Sequence, residues 1–388
     1  MPGIMQALYN SVSGLFSFSQ SLDTISNNIS NMNTPGFRGS DSFFENIMDD
    51  DGTKISGTAE NTSEGQIEQT STSTDVAIQG NGLFILKDSQ GNTYYTRSGQ
   101  FELNASGQLV DSVNGYFVQG YDPSGTFGNI NVTNYQTLPA QATTTVNMTG
   151  NMSPSDPTES VSNITVFDAQ GNAHTLSMAL TNNKATTPGS WGVVITDSTG
   201  ATVGSGNVIF NTDGTPEAGN NTIAMTATLG AASQTITFNF GTPNGLSGAT
   251  YYSGAAGSIA AQVTNGHAVV GVSSESFDAT GTLQFTYTDG ETKAGPQLAL
   301  ASFQDESSLQ MIQGNLYMPP QNQNAQIGRP NTTIFGQIEG SSLEMSNVDL
   351  TQELADMIVI QRGYQASSRV MTVSSDMLQQ LYDATRGS

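Results

Sequence analysis

Two histidines, His174 and His267, are the only imidazoles in the chain, and they stand in separate stretches with no acidic or nucleophilic partner at a recognisable spacing. A general base works only within hydrogen-bond reach of its partner, so neither is read as catalytic. Asp49, Asp51 and Glu60 fall on the first, third and twelfth positions of a calcium loop. The sixth position, where such a loop turns sharply on glycine, is Lys54. The stretch therefore reads as a solvated acidic loop. Gly80-Asn81-Gly82 offers two glycines of a phosphate loop, but no third glycine, Lys-Ser/Thr pair or helix follows, so a β-turn is expected. Asn61-Thr62-Ser63 matches a glycosylation acceptor, which means little without a secretory signal. Cysteine is absent, which excludes disulfides and thiolate metal sites. No catalytic residue, metal site or cofactor is expected, and no convergent constellation argues for an enzyme.

Charge narrows the partners. The 388 residues hold 10 Lys+Arg against 33 Asp+Glu, a net charge of −23. Sequence-independent binding to nucleic acid needs cations that displace phosphate counterions, and docking on anionic lipid needs them too, so the charge argues against both. No apolar run is long enough to span a bilayer. No Lys or Arg precedes Arg38, so the N-terminus lacks the positive region of a secretory signal. An acidic, cysteine-free chain of this kind is cytosolic or leaves the cell by another route. Charged residues are only 11%, and the polar mass is Ser, Thr, Asn, Gln and 42 Gly, a composition of short strands and turns.

The elements that carry the strongest pattern are the two ends. Leu8, Leu15, Leu22 and Ile29 recur every seven residues, with Val12 and Ile25 beside them. Leu350, Met357, Tyr364, Met371 and Leu378 do the same, with Leu354 filling the stripe. A 3.5-residue period predicts helices that supercoil against other helices. Asp349 is read as the N-cap of the second helix, with Gln352 completing a capping box. The first helix carries a single charge, Asp23, before Asn33, and its polar face is Ser, Asn and Gln. Such a face is expected to be packed, or to line a channel. The helices could pair within one chain or with copies of the chain. The shortage of charged flanking positions favours copies, because an isolated pair would expose a neutral, adhesive surface.

Between the ends the pattern is β. Thr34-Pro35-Gly36-Phe37 has the residues of a type II turn. Residues 39–72 show little periodicity and read as an irregular or weakly extended connector. Short alternating runs follow from Thr74 to Tyr121, with a tight-turn signal at Asn114-Gly115. A second β region over 148–289 includes a clear hairpin from Ile164 to Met178 and reads as a sandwich or partly closed barrel. Leu298 to Phe303 is expected to return to the first β region. The fold class is thus multidomain α+β, with terminal coiled-coil-forming helices and two nested all-β domains. The expected organisation is 1–33 with 349–388 as the inner coiled-coil domain, 34–72 with 327–348 as connector, 73–147 with 290–326 as an inner β-domain, and 148–289 as an outer β-domain insert.

Several motifs resemble one family. Ser13-Gly14-Leu15 followed by Asn27-Asn28-Ile29-Ser30-Asn31-Met32-Asn33-Thr34-Pro35-Gly36-Phe37-Arg38 is similar to the N-terminal signature of bacterial flagellar rod and hook proteins. Gly80 to Phe84 and Tyr95 to Phe101 resemble their shared β-domain, and Glu344 to Leu350 with Gln361-Arg362-Gly363-Tyr364 resembles their C-terminal signature. Asn27, Asn28, Asn33, Thr34, Gly36, Phe37, Asn347, Asp349, Gln361 and Arg362 carry the likeness. Gly363 departs from it, since Asn or Ala is frequent there in the family. Distal-rod members lack a large insert, so the residues over 148–289 bring the hook type nearest.

The resemblance implies a self-assembling structural subunit of a flexible helical tube, a universal joint that passes torque from rod to filament. It implies a homopolymer, with distal-rod, hook-cap and hook–filament junction proteins as partners, reached through the flagellar type III export apparatus and located outside the cell. It further implies terminal helices around a central channel, the first β-domain outside them and the insert outermost. Leu8, Val12, Leu15, Leu22, Ile25, Ile29, Leu350, Leu354, Met357, Tyr364, Met371 and Leu378 are the expected polymerisation interface. The rival readings are a distal-rod protein and a secreted β-rich adhesin or glycan-binding protein, the latter resting on Trp191, Tyr251 and Tyr252 in the insert.

Overall fold

The computed structural model describes residues 2–47, 52–230 and 232–386. Helix α1 spans Pro2–Ser30 and helix α2 spans Leu350–Arg386, and every other regular element is a strand or a short 3₁₀ turn. The α+β class holds. The chain forms two compact units. The first comprises 1–135, 273–286 and 291–388, and the second comprises 136–272 with 287–290.

In the first unit the two helices run antiparallel. Gly14 faces Ser367, Gly363 faces Phe18, and Asn28 reaches Glu353, so rising numbers on α1 meet falling numbers on α2. The segment read as an irregular connector forms a hairpin instead, Ser40–Ile47 paired with Gly52–Glu60. A bulge between Phe43 and Phe44 breaks the two-residue alternation, and most of its side chains are exposed, which is why no strand pattern shows in the sequence. The hairpin lies along α1. Ser17 donates to the Thr53 carbonyl at 2.9 Å, and the Phe18 and Phe44 rings are 5.8 Å apart.

The β part of this unit is built around the strand Leu83–Lys87, which pairs with Thr93–Thr96, Phe117–Tyr121 and Leu300–Ser302. The return of Leu300–Ser302 is as expected. Leu83, Ile85, Tyr95, Ala301, Phe303 and Tyr317 form its core. Gly80 and Gly82, at φ +108° and +130°, make the turn before this strand, where Gly336 donates to the Asn81 carbonyl at 2.8 Å. The boundaries of the insert differ from the expected ones. Thr282–Tyr287 pairs with Thr292–Leu298, which pairs with Phe117–Tyr121, so the stretch before Tyr287 belongs to the first unit. The second unit starts earlier than residue 148, because Thr137–Leu138 pairs with Gly271 and Val270. A two-residue strand leaves no periodicity to detect.

The second unit is a sandwich. Thr158–Phe167, Ala173–Asn182, Ser190–Asp197 and Thr202–Ile209 form one antiparallel meander, and Thr222–Leu229, Ala232–Asn239, Thr145–Asn151, Ala249–Thr250 and Ala260–Val263 form the other sheet. Their inward residues make one cluster that includes Met148, Val166, Leu180, Trp191, Ile236 and Phe238. Gly206 leaves room for Ile223 of the facing strand, since a Cβ there would sit 3.2 Å from Ile223.

One five-residue loop recurs in both units. Asp88, Asp122, Asp168, Asp197 and Asp278 each start it, and the glycine three residues on adopts positive φ and donates to the aspartate carbonyl. The carboxylate accepts the amide four residues ahead in every case. Hydrogen bonds to the charged form hold such carboxyls below their ordinary range, from the Ser124 hydroxyl at Asp122 and the Thr199 hydroxyl at Asp197.

Candidate assembly surface

The helices meet through small side chains. Ser11, Gly14, Ser21 and Asn28 are buried on α1, and Ser374 is buried on α2. A Cβ on Gly363 would lie 2.7 Å from the tip of the Phe18 ring, so the mid-helix glycine is the seat of that ring. The large residues of the expected interface are placed differently. Ile25 is buried at 7% exposure, while Leu8, Val12, Leu15, Leu22 and Ile29 are half-buried. On α2, Met357 and Leu378 are half-buried, and Leu350, Leu354, Tyr364 and Met371 are exposed. Ile358, Val359, Val370, Val373, Met377, Leu381 and Tyr382 are exposed as well, and so are Met5, Tyr9 and Phe16 on α1. The sequence pattern picked the large apolar residues and missed the small ones that form the seam within one chain.

The signature residues fix the helices to what surrounds them. Asn28 donates to the Ser40 carbonyl and to Glu353 at 2.9 and 2.8 Å, and accepts the Ser40 amide at 3.0 Å. Asn27 accepts from the Asn31 side chain, and Asn33 is exposed. The Phe37 amide donates to the Thr34 carbonyl at 3.2 Å, and Gly36 has φ +70°, so the expected turn is present. Phe37 is buried beneath it. Asn347 accepts the Gly39 amide and donates to the carbonyls of Asn61 and Ser63. Asp349 accepts the amides of Thr351 and Gln352, as an N-cap does. Gln361 and Arg362 are exposed on α2.

Two residues inside these motifs do more than their position announces. Arg97 is fully buried and donates to Glu344 at 2.5 Å and to the carbonyls of Gly82 and Ile78. Glu344 also accepts the Gly65 amide, and its carbonyl accepts the Gly36 amide. Glu344 thus gathers, through its carboxylate, the connector and the β core, and through its backbone carbonyl, the turn after α1. Nearby, Arg38 pairs with Glu306 at 2.9 Å. Burial pushes the Glu60 carboxyl up to about 7; Arg38 opposes this and Glu306 adds to it.

The remaining candidates resolve as follows. Asp49 and Asp51 of the acidic loop lie outside the described residues. His174 does have an acidic partner: its Nε2 is 3.0 Å from Asp168, across the turn of its own hairpin. His267, whose Nδ1 is 2.7 Å from the Ala268 carbonyl, has the Asp289 carboxylate within 4.8 Å. Trp191 is fully buried in the sandwich core, Tyr251 stacks on Phe210, and Tyr252 is partly exposed. No helix among the described residues is long and apolar enough to cross a membrane.

Four flagellar family descriptions match the chain in order: "Flagella basal body rod protein" over 8–38, "Flagellar hook protein FlgE/F/G D1 domain" over 77–153, "Flagellar basal body protein FlaE D2 domain" over 129–267 and "Flagellar basal body rod FlgEFG protein C-terminal" over 339–384. The flagellar hook protein FlgE of Escherichia coli K12 is 32% identical, over 97% of this chain and 99% of that one. This chain belongs to the flagellar hook protein family. The flagellar hook protein FlgE of Salmonella typhimurium is 31% identical over 95% of this chain and 98% of its own length. The crystal structure of Helicobacter pylori flagellar hook protein FlgE2 shares the fold, at a TM-score of 0.52 and 12% identity, covering 72% of this chain and all of that one. In this chain Asn28 and Asn347 tie the helical ends to the segments that follow α1, and Glu344 joins the connector to the buried Arg97.

Proposed function

We propose that this chain is the structural subunit of a bacterial flagellar hook and polymerises through its terminal helices into a flexible tube that carries torque from rod to filament. The observation that carries the reading is the apolar surface left on the helix pair. Within one chain the seam is made of Ser and Gly, while Leu354, Ile358, Tyr364, Met371 and Tyr382 face outward. Soluble monomers rarely leave an apolar face of that extent, and burying it yields about 25 cal/mol per Å².

In this reading the helices lie innermost, around the channel through which further subunits are exported by the type III route, and the chain works outside the cell. The rod below, the cap above and the junction to the filament are its heterologous partners. Ser19 and Ser26 are exposed on α1 and present uncharged hydroxyls suited to passing unfolded chains. Because most helical stability comes from tertiary packing and the outward faces of α1 and α2 are uncovered in one chain, both helices fray in the free monomer and gain order on assembly. Amide exchange tests this directly. Residues 5–30 and 350–380 should exchange fast in dilute monomer and slowly in polymer. Equal protection in both states would count against it.

A further inference from the structure

Helix α2 carries a second stripe that the helix pair does not use. Arg362, Ala366, Arg369 and Val373 are spaced four, three and four residues apart, share one face, and are all exposed, with Val359 and Val370 beside them. Both guanidinium groups are hydrated in the free chain, and covering the stripe would desolvate them at a cost unless the covering surface carried opposite charge. Six of the other cations have partners, while Lys87 stands exposed on a strand of the β core. Arg38 and Arg97 are paired with carboxylates, Lys54 is 3.6 Å from Glu45, Lys184 donates to the Pro154 carbonyl, and Lys293 and Arg329 sit over tyrosine rings. Among the described residues Arg362 and Arg369 have no such contact.

The complement lies on the same unit. A groove of about 390 Å³ runs between α1, the hairpin and the first turns of α2. Asp41, Glu353 and Asp356 supply its charge, and Phe43 and Phe44, both exposed, supply its apolar wall. No cation lines it. Its carboxylates crowd one another: burial raises the Glu353 carboxyl, Asn28 opposes this, and Asp41 and Asp356 raise it further. A guanidinium placed there would relieve that repulsion, and the flat aromatic walls suit its apolar faces.

We propose that the Arg362–Val373 face of α2 on one copy seats in this groove of a second copy, with Arg362 against Asp41, Glu353 and Asp356. The proposal rests on the polymerisation reading above and gives it a register. Groove and stripe adjoin at Val359, but the Arg362–Val373 face and the carboxylates of the groove are different surfaces of one molecule, so the contact is heterologous and repeats without closing into a dimer. For copies in the same orientation, the six to nine residues between Asp356 or Glu353 and Arg362 set an axial stagger of about 9–14 Å, at 1.5 Å per residue.

The test is a charge swap in the full chain, read as the critical concentration for polymer by sedimentation and negative-stain imaging. R362E and D356R should each raise it about tenfold or more, as truncated charge pairs at interfaces do. R362K, which keeps the charge but loses the flat faces, should raise it by less than R362E does. The double variant R362E/D356R, and an equal mixture of the two single variants, should recover to within about threefold. Circular dichroism of each monomer separates lost contact from lost helix, and R362Q gives the same reading if R362E disturbs α2. R362E polymerising at the wild-type concentration, or a double variant no better than either single one, overturns the contact while the tube reading stands. Wild-type chain that forms no polymer, or only a closed dimer, overturns both.

Discussion

At the scale of single residues, the signature motifs act as fasteners. Gly36 shows why a side chain is not tolerated: its φ is +70°, and a Cβ there would lie 2.4 Å from the Ser98 amide nitrogen. Gly36→Ala should therefore lower stability by about 1–3 kcal/mol, measured by urea unfolding. Glu60 makes a pH prediction. Its folded pKa is about 7, above the ordinary 4.5, so its contribution is complete below pH 4.5 and is lost as pH rises through 7. Glu60→Gln should flatten the stability profile between those values and leave the variant more stable than wild type at pH 8. The depressed carboxyls of Asp122 and Asp197 act with the opposite sign. They stabilise above the unfolded value and lose that contribution as pH falls below it, so unfolding in strong acid should be unaffected by the Glu60 change. Arg97 and Glu344 stand inside motifs visible in the sequence, yet nothing in their spacing marks them as a buried pair. Only the convergence of four chain segments gives them that role.

At the scale of elements, a 3.5-residue period exposes helices but not which face they share. Large apolar residues dominate such a pattern, so Ser11, Ser21 and Ser374 pass unnoticed although they are buried, and Gly14 and Gly363 stand out only as motif positions although they receive Ser367 and Phe18 across the seam. Small residues allow close approach, and a bulky one should separate the helices. Gly363→Leu is expected to displace the Phe18 ring and lower the melting temperature of helical circular dichroism without affecting β signal. The hairpin was illegible for another reason: its bulge and exposure erase the alternation that identifies a strand. It is held to α1 by Asn28, whose side chain accepts the Ser40 amide. Asn28→Ala should raise the exchange rate of that amide and cost about 1–3 kcal/mol, as a buried donor and acceptor lose their partner.

At the scale of the whole molecule, composition and patterning were enough to recognise helical ends around nested β-domains. The unit boundaries were not legible, because Thr137–Leu138 is too short to announce itself and Thr282–Tyr287 looks like any other strand until its partners are known. Charge acts at this scale too. Copies at −23 repel one another, and physiological salt screens exposed charges beyond about 8 Å. Polymer should form at lower protein concentration as salt rises, and a critical concentration indifferent to salt would mean that the acids are compensated locally. The account stands or falls on the exposed apolar faces of α1 and α2 being covered by other copies. The direct measurement is negative-stain imaging of the full chain beside a chain spanning 34–348, at matched high concentration and salt. Tubes from the full chain and none from the shortened one are predicted; tubes of the same kind from the shortened chain would contradict it.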